Sequence, residues 1–369
     1  MKHLQEIYTN FLISSFGKIE MTKLSKLTQS SHDVYTKRLL LNSELDDEHK
    51  LWGSIKGFLR EYENEDNGCI VIDDMLMHKP HTKINDTVCF HYDHVSQNMQ
   101  KGILMLNFHY TDASGISIPL GYEIITKTEN VWNEEYQKYI KKSLFTKNEI
   151  MRDRLALLHH NNQVKYKYIL FDKWFSSTEN LIFIENDLQK KFVAPIKSNR
   201  KVALTLAQRN GGKYVNISNL DIEGGSSRLI YLEGYKKPLR LIKQVVKDGN
   251  DDEPKYLYLV TNDINLSFHE ILKIYQNKRI AFYKVKMFPE RRWKIEEYHK
   301  SLKQNLQIEH SPTKVETSQR NHIHLCVTAF IKLEKLRLNY KMNHFAIKEK
   351  IYIEALQVAY RKVEELIAV

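Results

Sequence analysis

Tyr166-Lys-Tyr-Ile-Leu-Phe-Asp172 is a short, almost wholly apolar run that stops on an acid. Its length and its aromatic and branched side chains predict a buried strand. A helical pattern over Thr178 to Lys190 and a second strand pattern over Phe192 to Ile196 follow, which spells a strand–helix–strand unit. On the N-terminal side, Lys147 to His160 reads as a helix. Before it come Cys69-Ile-Val-Ile-Asp-Asp74, Thr87 to Tyr92, Gly102 to Tyr110 and Ile116 to Ile125, four strand patterns in succession for which a meander is the natural arrangement. Asp73-Asp74 and Asp172 each end an apolar strand, where side chains emerge at a sheet's edge and ligands commonly sit in α/β proteins.

Antiparallel strands followed by alternating strands and helices describe an α/β layer fold of the ribonuclease H kind, here assigned to residues 67–310. The alternation is interrupted from about Ser198 to Pro254, where Gly211-Gly212, Gly224-Gly225, Gly234 and Gly249 separate short strand-like runs in the texture of a β insertion. Lys255 to Thr261 resumes a strand, and helices dominate from Leu266 onward. Residues 1–66 are polar and helical in pattern. Within them Met21 to Leu27 and His32 to Leu40 have the spacing of a helix-turn-helix, a pattern that any small helical bundle also gives. Residues 311–369 form a helical C-terminal region. Its apolar faces (Leu325, Ile331, Leu333, Leu336; Ile351, Ile353, Leu356, Val363, Leu366) can pack on the core or on a second subunit.

The 369 residues suit two or three domains and carry 42% apolar and 27% charged residues, a balance that excludes disordered and fibrous classes. No apolar run approaches the ~18 residues that cross a bilayer, so the expectation is a cytoplasmic protein without a membrane partner. Three scattered cysteines support neither a disulfide framework nor a structural zinc site. His78-x-x-His81 and His91-x-x-His94 have ligand-like spacing, but strand alternation sends His91 and His94 to opposite faces. The net charge of +11 points to a polyanion. The excess is local: Lys273 to Lys303 holds ten basic residues against three acidic ones.

That stretch contains Arg292-Trp-Lys-Ile-Glu-Glu-Tyr-His-Lys-Ser-Leu-Lys303. At 100° per residue, Arg292, His299, Lys300 and Lys303 all fall within about 60° of Glu296, so one helix face carries all five, with Glu297 on the flank. The bland alternative is a solvated face of charge pairs worth a few tenths of a kcal/mol each. Arg292, Glu296 and Lys303 reproduce the Arg-x3-Glu-x6-Lys part of the Tyr-x2-Arg-x3-Glu-x6-Lys signature, and with Ile72-Asp-Asp74 and Leu170-Phe-Asp-Lys-Trp174 the chain resembles bacterial insertion-sequence transposases with a DDE site.

The resemblance implies a ribonuclease H-like domain with a β-strand insertion before the last catalytic helix, and it carries over Asp73, Asp172 and Glu296 as catalytic acids and metal ligands. Asp74 stays open beside Asp73, because Met75 stands where the family word has Thr and both strand faces are apolar. Three converging carboxylates repel unless a divalent cation offsets them; two Mg²⁺ ions, with Mn²⁺ able to substitute, suit in-line phosphoryl displacement. DNA cleavage followed by strand transfer is then the expected reaction. Arg292 and Lys303 would hold phosphates, with His299 and Lys300 adding backbone contacts. The implied partners are double-stranded DNA (terminal inverted repeats and target) and a second copy in a homodimer on DNA, in a bacterial, nucleoid-associated setting. A Mg²⁺-dependent nuclease of the same fold and an inactive DNA-binding remnant are the rival readings. Trp174 and Trp293 flank the acids, where core packing competes with base stacking.

One departure concerns Tyr. The signature places it three residues before Arg292, but Pro289 stands there. Removing Asn277 to Glu290 would restore the spacing with Tyr275, which suggests a 14-residue in-frame insertion. Were those residues helical, Tyr275 would lie about 20 Å too far along, and the enzyme would be weakened until the segment is deleted. A looped-out insert would bring Tyr275 back.

Overall fold

The computed structural model describes residues 1–93, 96–135, 137–246, 255–275 and 291–367. Strands β1 (Cys69–His78), β3 (Asn98–Thr111), β7 (Tyr168–Phe171) and β8 (Lys191–Pro195) form the middle of one large mixed sheet. β1 runs antiparallel to β3 and parallel to β7, and β7 runs parallel to β8. On the far edge of β3, β2 (Cys89–Asp93) and β4 (Ile118–Ile124) pair with successive stretches of the same long strand. Ile70, Val71, Ile72, Ile169, Leu170, Phe171, Phe192, Val193 and Ala194 are all fully buried, which is why these strands read as unbroken apolar runs rather than alternating ones.

Beyond β8 the sheet continues through β13 (Lys255–Thr261), β12 (Leu239–Val246), β11 (Ser226–Leu232), β9 (Lys201–Ala203) and β10 (Val215–Asn216). The expected β insertion is thus an extension of the central sheet. A separate hairpin, β5 (Glu129–Asn133) with β6 (Lys138–Lys142), stands apart from it.

The N-terminal segment folds as helices α1 (Lys2–Ser14), α2 (Met21–Thr28) and α3 (Glu48–Arg60), with a wide helical turn over Val34–Leu40 between the last two. Next in the chain come α4 (Lys147–Ala156), α5 (Thr178–Asn186), the short α6 (Leu206–Asn210) and α7 (Phe268–Tyr275). Then follow α8 (Trp293–Gln304), α9 (Glu316–Tyr340) and α10 (His344–Ile367). α4 begins on a reciprocal capping box in which Thr146 and Glu149 satisfy each other's backbone amides.

The N-terminal helices are not free-standing. Tyr8 Oη and His322 Nδ1 are 2.9 Å apart, Asn321 Nδ2 donates to the carbonyls of Leu40 and Asn42, and Leu24, Tyr35, Leu39 and Leu40 are fully buried. α9 is therefore shared: it packs on α1, α3, α8 and α10, and Leu325, Ile331 and Leu333 are buried within the chain.

A buried carboxylate braces the helices against one another. Glu334 of α9 accepts from the Ser117 amide (2.8 Å), from the Arg337 guanidinium (2.8 Å) and from His344 Nε2 (3.1 Å), while His344 Nδ1 lies 3.0 Å from Ser301 Oγ of α8. Burial alone would raise the Glu334 carboxyl; its bonds to His344 and Arg337 outweigh that and hold it below its ordinary value.

Acid should destabilise the fold. Burial holds His109 and His322 down to about 3 and His91 down to about 4, so unfolded imidazoles bind protons that the folded ones refuse. Stability from this source is complete above about pH 6.5 and is lost as the pH falls, by about 1.4 kcal/mol per unit per histidine. Asp73 and Glu123, both raised by burial to about 7, act in the opposite sense over about pH 4 to 7. Histidines outnumber acids, so denaturant unfolding near pH 5 should take up a net proton and its midpoint should drop between pH 6.5 and 4.5. A midpoint that rises on acidification would contradict this balance.

Candidate functional site

Register decides which acids meet. The last parallel pair between β1 and β7 is Ile72 with Phe171, so Asp73 and Asp172, the next residue on each strand, stand side by side. β1 does not end at its acids as the sequence pattern suggested; β3 goes on pairing with it to His78. What ends after Ile72 is the pairing with β7, and that opens the sheet at the acids. Asp172 caps the turn that follows it, accepting from the Trp174 amide at 2.8 Å.

The choice between the two faces of β1 is made by what covers them. Asp73 is opposite Asn107 on β3, and directly paired residues project from the same side. Asn107 Nδ2 donates to His299 Nε2 of α8 at 3.1 Å, so α8 lies over the Asp73 face. Asp74 projects the other way and is ion-paired with Lys147 at the start of α4.

α8 begins on Arg292, with Glu296 in its first turn and Lys303 in its last, the ends that a helix dipole favours for each sign. Arg292 is only 6% exposed. Its Nη1 donates to Glu296 Oε1 at 2.8 Å and its Nη2 lies 3.6 Å from Asp73 Oδ2, so one guanidinium bridges two of the predicted acids. The Asp73 carboxyl is raised to about 7: burial lifts it most, Arg292 pulls it back, and Asp74, Asp172 and Glu296 push it up. Arg292 thus joins two of the acids directly, and Asp172 acts on Asp73 through its charge. Among the described residues no three His, Cys, Asp or Glu side chains are gathered tightly enough to form a ready metal cage.

Asp73, Asp74, Asp172, Arg292, His299, Lys300 and Lys303 line one cavity of about 760 Å³, whereas Glu296 lines a second one with Trp293, Glu297 and Lys300. Lys303 Nζ donates to the Leu76 carbonyl (2.8 Å) and pairs with Glu309 (3.0 Å), which ties the end of α8 to β1. Lys300 lies over the Phe345 ring. Burial holds His299 at about 3, so it is a neutral acceptor and not a cation. Glu297 is paired with Lys294 away from the acids, as its flanking position on the helix implied.

Tyr275 occupies the position the sequence left in doubt. It is buried at the end of α7, its hydroxyl donates to the Phe171 carbonyl at 3.4 Å, and the Arg292 guanidinium lies 5.8 Å from its ring centre. The chain leaves this point after Tyr275 and has returned to it at Arg291. The 20 Å displacement expected of a continuous helix is therefore overturned. Asn277 to Glu290, Pro289 among them, lie outside the described residues, as does His94.

Several contributors were not legible. Lys147 and Lys127 reach the cavity wall from segments whose sequence carries no motif, and Asn107 is placed only by register. Trp174, beside Asp172, is 45% exposed at the cavity, which removes core packing as its role.

The family model described as "Transposase DDE domain" matches residues 146–331, a span that contains Asp172, Tyr275, Arg292, Glu296 and Lys303 but begins after Asp73. No curated protein matches the chain.

Removing the central charge should be visible without any DNA. With a chelator present, Arg292→Gln takes away the one neighbour that lowers the Asp73 carboxyl, so that carboxyl should titrate above about 7 by carboxyl-carbon NMR. An unchanged or lower value would mean that Arg292 does not sit among the acids in solution.

Proposed function

The chain belongs to the transposase DDE-domain family, a family of enzymes that act on DNA, and on that footing we propose that it cleaves the ends of a bacterial insertion sequence and joins them to target DNA in a divalent-metal-dependent reaction. The observation that carries this reading is a buried arginine that bridges Asp73 and Glu296, beside a lysine-lined cavity whose wall holds Asp73 and Asp172. The strand order β4-β3-β1-β7-β8, three antiparallel strands followed by two parallel ones, supports a ribonuclease H-like catalytic domain. Asp73 is the better third acid, because Arg292 bridges it to Glu296 while Asp74 is paired with Lys147.

The donors fit Mg²⁺. All three are hard oxygen ligands; burial raises the Asp73 carboxyl and the neighbouring acids add to it, and a divalent ion would offset both effects. A pair of such ions, Mg²⁺ or Mn²⁺, held by Asp73, Asp172 and Glu296, would activate the attacking hydroxyl and stabilise the departing oxygen of an in-line displacement. The protein's own groups supply the rest. Arg292 holds a phosphate by its fork and is oriented by the Tyr275 ring; Lys303 and Lys300 add point charges, and neutral His299 offers a hydrogen bond only. With Tyr275 against Arg292, the geometric reason to expect an impaired enzyme falls away.

Asp73→Asn, Asp172→Asn and Glu296→Gln should each lower Mg²⁺-dependent cleavage by roughly 10²–10³-fold or more and leave DNA binding nearly intact, whereas Asp74→Asn should retain activity. Normal cleavage by any of the first three would remove that residue from the site. A strand-transfer product separates the transposase from a simple nuclease, and its absence alongside cleavage would favour the nuclease.

We further propose that two copies pair through α10 when two DNA ends are held. α9 is spent inside the chain, but every residue of α10 from Tyr352 to Ile367 is exposed. Ile353, Leu356, Tyr360, Val363 and Ile367 repeat at alternating spacings of three and four, a two-heptad seam. Leu356→Glu with Val363→Glu should leave the thermal midpoint of the body unchanged and convert the DNA-bound dimer to a monomer in sedimentation. A dimer that survives the pair of charges would place the contact elsewhere.

A further inference from the structure

The β5–β6 hairpin is anchored at its base and bare along its length. Lys127 Nζ donates to the Phe90 carbonyl (2.6 Å), and Lys141 is ion-paired with Asp86. The strands themselves are outside the main sheet and expose Val131 (37%), Trp132 (43%) and Tyr139 (71%), with Leu144 and Phe145 exposed just beyond. A two-stranded hairpin with no apolar face buried is marginal by itself, and an exposed aromatic cluster of this kind marks a contact surface.

Its chemistry is specific. Cross-strand pairing sets Trp132 against Tyr139 and Asn130 against Lys141, so these four share one face; neither strand adds an acid to it, Lys141 there is held by Asp86, and Glu134 and Glu135 are confined to the turn. The two rings form an edge-to-face pair 5.2 Å apart. Glu129, the one acid within the strands, is on the other face, opposite Lys142. Aromatic side chains interleaved with lysines suit bases and phosphates; a hydrophobic protein partner would be met by fewer charges. The hairpin is also continuous with the cavity that holds the acids, because Lys127 just before β5 and Lys147 just after the hairpin both line it.

We propose that this hairpin is a DNA-binding arm that stacks an unpaired base of the strand next to the reacting phosphate on the Trp132–Tyr139 pair, with Lys138 and Lys142 on the hairpin's other face drawing the backbone around it. The proposal rests on the transposase reading of the cavity. Reach sets its position: five residues of strand from Lys127 to Trp132 span up to about 17 Å, or about five nucleotides at about 3.4 Å each.

The test uses the full chain with Ca²⁺ and a duplex bearing an unpaired tail, in which a fluorescent adenine analogue is moved one nucleotide at a time. Quenching by the parent protein should peak roughly five nucleotides from the duplex end. Trp132→Leu with Tyr139→Leu should abolish the peak and weaken binding about tenfold, the scale of a lost base stack. Trp132→Phe with Tyr139→Phe keeps two ring faces and should keep the peak, which separates stacking from folding of the hairpin. Parent-like quenching and affinity in the double leucine variant would overturn the arm while the transposase reading stands. Unchanged DNA affinity with altered self-association would overturn it in favour of a protein contact. Failure of the parent itself to bind DNA would remove both.

Discussion

A buried guanidinium is the constraint on which the site depends. Arg292 sits between Asp73 on the central sheet and Glu296 on α8, with Asp172 close enough to be felt and Tyr275 against its face. Without that cation, carboxylates would be crowded into a low-dielectric pocket with no partner, which costs several kcal/mol per uncompensated charge. The arrangement ties two parts of the fold together electrostatically: β1 and β7 supply two acids by register, and α8 delivers the third acid with its counter-charge four residues earlier on the same helix face.

The position of α8 is set from outside the site. Asn107 and the Leu76 carbonyl hold its inner face to the sheet through His299 and Lys303. On its outer side Ser301 meets His344, which donates to the buried Glu334. Glu334 also fixes the chain just before β4 through the Ser117 amide. α8 is therefore clamped between the sheet and a polar network of the C-terminal helices, and α10, whose far half is bare, continues directly from that network.

Much of this was legible in the sequence because it is local. Apolar runs gave the central strands, the helical period of Arg292 to Lys303 put five candidate side chains on one helix, and the glycine-punctuated stretch before Pro254 gave the added strands. What stayed hidden is non-local. Asp73 and Asp74 both lie in a strand buried on two faces, so alternation is silent, and only the pairing of Asp73 with Asn107 beneath His299 separates them. The return of the chain to Tyr275 depends on where α7 and α8 pack, which no spacing rule records. Lys147 reaches Asp74 from 73 residues away. The hairpin aromatics had no periodicity to distinguish a bare surface from a covered one.

Metal-directed backbone cleavage tests the central claim most directly. With Fe²⁺ in place of Mg²⁺ and ascorbate to generate hydroxyl radicals, the chain should be cut beside residues 73, 172 and 296 and nowhere else in comparable yield, and Mg²⁺ should compete the cuts away. Cuts confined to other segments, or cleavage near 172 and 296 with none at 73, would contradict a site built from these three acids around Arg292.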